Sequence, residues 1–138
     1  MNVAWSYPEP MLLVACVLAG LAALVHVYIF VLESLRWTDP ATRRVFGTTE
    51  ETAAITAPLA YNQGFYNLFL AIGTAVGIAL VPSDKPGCTA LIVFGTGSML
   101  AAALVLVTSD RRKARAAVIQ GLLPLLALLA LLIHAVAG

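Results

Sequence analysis

His26 and Glu33 stand seven residues apart in a stretch that is otherwise apolar from Met11 to Leu32. On an α-helix that spacing leaves them about 20° apart around the axis and about 10 Å apart along it, on one face. Keeping a carboxyl group away from water favours its neutral form, which can donate a proton, so Glu33 is a candidate general acid and His26 a candidate to orient it or relay its proton. A second constellation is the run Tyr61, Asn62, Gln63, Gly64, Phe65, Tyr66, Asn67. Asn62 with Tyr66, and Gln63 with Asn67, are i,i+4 pairs and form adjacent polar stripes on a helix. These amides, with Gln120 further on, could hold a polar substrate handle, and the rings of Tyr28, Phe65 and Tyr66 could face a developing carbocation. Each group also has a plain structural reading. Glu33 can snorkel to an interface, His26 can pack and hydrogen-bond a neighbouring helix, and the amides can hold helices together.

The elements that must carry these residues follow from composition. Of 138 residues, 61% are hydrophobic and 11% charged, with a mean hydropathy of +0.94. A soluble domain devotes about a quarter of its residues to charge, so this chain reads as an integral membrane protein. Apolar runs over about 11–34, 56–81, 87–108 and 116–137 are each long enough to cross a hydrocarbon core of about 30 Å. The expectation is an all-α membrane protein, one domain forming a four-transmembrane-helix bundle, with a first helix too long and too poor in basic residues to be a cleaved leader. Arg36, Arg43 and Arg44 in the first loop, with Arg111, Arg112, Lys113 and Arg115 in the third, outnumber Lys85 in the second. The positive-inside rule then places both termini outside the cytoplasm. His26, Glu33, Asn62, Gln63, Tyr66, Asn67 and Gln120 consequently share the cytoplasmic half, and His134 falls in the other.

Loop chemistry adds detail. Asp39 and Pro40 predict the start of a short interfacial helix ending near Val45, and Thr48 or Thr49 before Glu50 and Glu51 marks entry to the second span. Residues 82–87 form a breaker cluster. Trp5, Tyr7 and Trp37 suit the headgroup belt. Small residues should form the contacts: Ala15, Ala19 and Ala22 on the first helix, Gly73 and Gly77 on the second, Gly95 and Gly97 on the third. Pro58 and Pro124 should bend their helices.

Several functions are excluded. The formal net charge of +1 gives nucleic acid no electrostatic footprint. Cys16 and Cys88 lack a CxxC partner, and with His26 and His134 in opposite leaflets no metal site of ordinary composition is expected. No nucleotide motif is present, so no dissociable cofactor is expected.

The run His26, Val27, Tyr28, Ile29, Leu32, Glu33, Trp37, then Val45, Phe46, Gly47, then Asn62 to Asn67, with Gln120 and Gly121, resembles the small bacterial and fungal membrane proteins of the DUF1304 family. The likeness covers nearly the whole chain, and its most specific parts are the HVYIFVLE and NQGFYN blocks; the residues before Met11 depart from it. The resemblance implies a bacterial cytoplasmic membrane protein and adds weight to an enzyme connected with terpenoid cyclisation.

The leading expectation is therefore a cofactor-independent intramembrane enzyme acting on a lipophilic small molecule, protonating an epoxide or alkene so that a polyene cyclises or isomerises. Glu33 and His26 would be catalytic, and Tyr28, Asn62, Gln63, Phe65, Tyr66, Asn67 and Gln120 would bind substrate. The alternative is a small proton-coupled multidrug-type transporter or lipophile-binding protein, working as a homo-oligomer among membrane lipids. A third reading is a subunit of a larger membrane assembly. Asp39, Glu50 and Glu51 are alternative sources of the acid.

Overall fold

The computed structural model describes residues 10–83, 85 and 87–137. Helix α1 spans Pro10–Phe30 and runs directly into a π-helical turn, Val31–Leu35. A short α2, Pro40–Phe46, precedes the long α3, Glu50–Leu80; α4 is Cys88–Ser109 and α5 is Ala114–Ala137. Single 3₁₀ turns lie at Val81–Ser83 and Arg111–Lys113. Among the described residues there is no strand, and four helices are long and apolar enough to cross a membrane. The expectations for Trp5 and Tyr7 lie outside the described residues.

The four long helices close a ring in the order α1, α3, α4, α5, each packed on two neighbours while the diagonal pairs scarcely meet. Packing is inside out relative to a soluble bundle. Ala15, Ala19, Ala22 and Ala127 are fully buried, whereas Leu24, Phe94 and Val105 are exposed. Lipid is as apolar as leucine, so helices gain by close approach of small side chains rather than by hiding large ones. Gly77 lies under Leu91, Ile92 and the Cys88 carbonyl, Gly95 against Thr74, and Gly121 against Ala103. Thr74 and Thr96, also buried, return their hydroxyl protons to the carbonyls of Leu70 and Ile92 in their own helices. The expected Ala15, Ala19, Ala22 stripe is interior. Gly73 and Gly97 are not contact points, because nothing would meet a Cβ at either. Gly64 and Gly121 are the close-approach glycines that the spacing alone does not single out.

The caps explain the interfacial segment. Pro40 opens α2 at its first turn, but Asp39 does not cap with its side chain; its carboxylate accepts from Arg36 Nε at 2.7 Å. Gly47 closes α2 in the left-handed region (φ +64°), where glycine carries no Cβ penalty. Thr49 then caps α3, its hydroxyl accepting from the Thr52 backbone N–H at 3.1 Å. Because α3 begins at Glu50, ahead of the apolar run that starts near residue 56, it has 31 residues against 22 in α4. At 1.5 Å per residue the difference is about 13 Å. Gly77 meets the start of α4, so the excess length projects past the end of α4, beside the Arg111–Lys113 turn.

Candidate functional site

That overhang makes a groove. The first half of α3 supplies one wall through Thr52, Thr56, Leu59, Ala60 and Gln63, and the end of the first span supplies Glu33 and Trp37. The link between α2 and α3 adds Phe46, Gly47 and Thr48, while Asp110, Arg112 and Lys113 close the side below α4. The groove has a volume of about 490 Å³ and is open to its surroundings.

Glu33 lies in the π turn and borders the groove. The widened turn re-aims side chains relative to a continuous α-helix, and such turns recur at functional sites. Ser34, the next residue, packs against the bare Cα of Gly64 and donates its hydroxyl proton to the Tyr61 carbonyl at 2.8 Å. The absence of a side chain at Gly64 therefore lets the Glu33–Ser34 backbone lie on α3. Asn67 completes the arrangement: its Nδ2 donates to Glu33 Oε2 at 2.9 Å and to the Gln63 carbonyl at 3.1 Å. A carbonyl only accepts, so the second bond fixes which end of the amide is nitrogen and makes Glu33 Oε2 an acceptor. A proton carried by Glu33 must then sit on Oε1, which has no protein partner among the described residues.

Trp37 is more than a belt residue. Its indole N–H is shared between the Ala53 carbonyl at 3.1 Å and Thr56 Oγ1 at 3.2 Å, and its ring packs on Phe46 with centroids 5.0 Å apart. It thus ties the first loop to the overhanging part of α3. On the opposite side Asp110 accepts from the Arg112 backbone N–H at 3.0 Å and from its guanidinium at 3.1 and 3.2 Å. The side-chain hydrogen bond from Arg112 holds the Asp110 carboxyl below the ordinary aspartate value. Since Glu33 borders the same groove as this turn, it sits toward the end of the bundle and not at its middle.

The residues singled out from sequence separate into groups. Glu33, Gln63 and Asn67 come together. Asn62, Phe65 and Tyr66 line a different groove of about 440 Å³ with Tyr61 and Phe69, on the outer side of α3. There Phe65 stacks edge-on to Phe30 at 5.1 Å and lies 5.0 Å from Tyr61. His26 is buried, its Nδ1–H donating to the Ala22 carbonyl of its own helix at 2.9 Å, and no hydrogen bond joins it to Glu33. Tyr28 is 58% exposed on the bundle exterior. Gln120 is half-buried on α5, diagonally across the ring from α3. A single cavity ringed by His26, Asn62, Tyr66 and Gln120 is therefore not what the packing makes; only Asn62 and Tyr66 share a wall. Nor do the loop carboxylates border the Glu33 groove. Asp39 is paired with Arg36, Glu50 faces Arg43 at 3.5 Å, and Glu51 is exposed. Asp110 does border it, and its place directly before Arg111, Arg112 and Lys113 is the one signal that could have marked it.

Residues 20–132 match the family described as "Protein of unknown function (DUF1304)". The chain belongs to the DUF1304 family. The matched stretch includes Glu33, Gly64, Asn67 and the Asp110–Lys113 turn, so the DUF1304 region holds both walls of the groove. No curated protein and no solved structure matches the chain. Among the described residues no group of three or more histidine, cysteine, aspartate or glutamate side chains is placed to hold a metal ion.

Proposed function

We propose that this chain is a cofactor-independent intramembrane enzyme that performs acid and base chemistry on a lipophilic substrate, with Glu33 as the proton donor. The observation that carries this reading is the orientation of Glu33 by Asn67. One carboxyl oxygen is held by an amide that can only donate, and the other is left without a protein partner in a residue that borders an open, partly apolar groove. Glu33 Oε1–H would protonate an alkene carbon or an epoxide oxygen, generating a carbocation and leaving a carboxylate. Ring closure or migration follows within the substrate, and loss of a proton from an adjacent carbon back to Glu33 restores the acid. Cyclisation or isomerisation of this kind is redox-neutral and consumes no co-reactant. Trp37, whose ring lies on the groove wall, supplies a π face to the cation. His26 takes no part in this scheme beyond packing α1.

We place the protein in a bacterial cytoplasmic membrane with both termini outside. The groove then opens at the cytoplasmic leaflet, because seven of the eight basic residues lie at that end of the bundle. Lipophilic substrate would enter from the surrounding lipid.

The groove's open side also suits a second reading, a small proton-coupled transporter or lipophile-binding protein. Glu33 lies toward one end of the bundle, and the interior beyond it is filled by Met99 and, further along, Ile92, both fully buried, so a transport path would need a second copy of the chain. Product formation from polyene alkenes and epoxides by purified wild type and Glu33→Gln, at matched folded concentration, separates the readings. An enzyme makes product that the variant does not. Proton-driven uptake into vesicles without any product supports transport instead.

A further inference from the structure

We propose that the Glu33 groove selects amphiphiles with an anionic, phosphomonoester-type head, held at its mouth by Lys113. This rests on the groove being the substrate site and names the class of molecule it takes. Four charged residues border the groove: Asp110 and Arg112 are bonded to each other, Glu33 is held by Asn67, and Lys113 is the fourth. Lys113 borders the groove with no carboxylate among the described residues within ion-pair distance; its charge acts on Asp110 from further away, and Arg112 already holds that carboxylate. The groove thus combines an ammonium that has no ion pair of its own, the Glu33 carboxyl and the apolar surfaces of Leu59, Ala60 and Trp37.

An ammonium is a compact, strongly hydrated point charge that suits a phosphate, whereas Arg112 is already engaged by Asp110. Thr52 and Thr56 border the same groove, although the Thr56 hydroxyl already donates to the Thr52 carbonyl at 2.7 Å. An amphiphile seated this way keeps its head in the water-accessible mouth and lays its apolar chain along Leu59 toward Glu33. The head thus fixes which carbon of the chain meets the acid. A neutral lipophile would lack that register, and a cationic one would be repelled at the mouth.

The test uses the purified full chain in neutral detergent and native mass spectrometry, with oleoyl lysophosphatidate and oleoyl lysophosphatidylcholine as probes. Expected is a preference of about fivefold or more for the phosphomonoester, the effect of one basic side chain beside an anionic headgroup. Lys113→Gln should abolish the preference and Lys113→Arg restore it. Arg115→Gln lowers the net charge equally but lies outside the groove, and should leave the preference intact. Equal binding of the two probes overturns the proposal, as does an equal loss in Lys113→Gln and Arg115→Gln, which would indicate a diffuse field. Displacement of the bound amphiphile by an equal concentration of inorganic phosphate also overturns it, since the site would then recognise a free anion. Glu33→Gln should keep the head-group preference. A failure of Glu33 as the acid therefore shows in turnover, and a failure of this proposal shows in binding.

Discussion

Ser34 lies directly against Gly64, with its backbone nitrogen 3.0 Å from where a Gly64 side chain would begin. The Glu33 Cβ is 3.1 Å from the same point. The π turn at the end of the first span and the middle of α3 therefore meet backbone to backbone, and the position of Glu33 depends on one missing methyl group.

Gly64→Ala should consequently cost stability, on the order of 1–3 kcal/mol for a methyl forced into a filled contact. Gly73→Ala on the same helix meets nothing and should be neutral or gain up to about 1 kcal/mol from helix propensity. Thermal unfolding in a single detergent compares the two; equal effects would mean the close approach at Gly64 is not tight.

Asn67→Ala should reduce turnover by roughly 10- to 100-fold while leaving the folded protein intact, because the carboxyl of Glu33 loses the group that orients it. Asn62→Ala, on the wall of the other groove, should change turnover by no more than about twofold. The reverse order of severity in kcat/KM would move the reacting centre to the outer side of α3.

Trp37→Phe keeps the ring against Phe46 but removes the donor shared by Ala53 and Thr56. A loss of about 0.5–1.5 kcal/mol is expected, concentrated in the segment from Arg36 to Thr49. Limited proteolysis should cut this segment faster in the variant, with the four long helices unaffected.

Asp110 gives a pH dependence of definite sign. Its carboxyl is held below the ordinary aspartate value by the Arg112 side chain, so the order it confers on the Arg111–Lys113 turn is complete above the ordinary value and disappears as pH falls through the lowered one. Hydrogen exchange at Arg112 and Lys113 should be flat from neutral pH down to the normal aspartate range and rise only below it. In Asp110→Asn the exchange should be independent of pH across that range after correction for intrinsic rates.

Topology is checked by labelling single cysteines placed at Ser83 and Ser109, in a background with Cys16 and Cys88 replaced. Ser83 should react from outside and Ser109 from the cytoplasm. Reaction with those sides exchanged would put the groove in the outer leaflet.

Much of the architecture is legible in the residues alone. Four apolar runs of sufficient length admit only helices in lipid, where every backbone polar group must be satisfied within its own segment. The Pro40 and Thr49 signals locate α2 and the start of α3 because a proline in the first turn and a capping hydroxyl act within one to three residues. The Ala15, Ala19, Ala22 stripe reads as interior for the same local reason, since helical periodicity puts these residues on one face.

The site is another matter, because it depends on the register between helices. Spacing on α3 makes Asn62, Gln63, Tyr66 and Asn67 a single polar patch, but the patch wraps round the helix. Packing on α1 brings only its Gln63–Asn67 side to Glu33 and leaves Asn62 and Tyr66 facing outward. The π turn, the contact of Ser34 with Gly64 and the overhang of α3 past α4 each combine residues far apart in the chain. Asp110 and Lys113 join the groove only because α4 is shorter than α3 and ends beside its projecting turns. Residue types and periodicity thus determined the spans, the caps and the presence of an acid in an apolar helix. Tertiary packing decided which polar groups that acid meets, because helix register in lipid is set by small-residue contacts that no single helix contains.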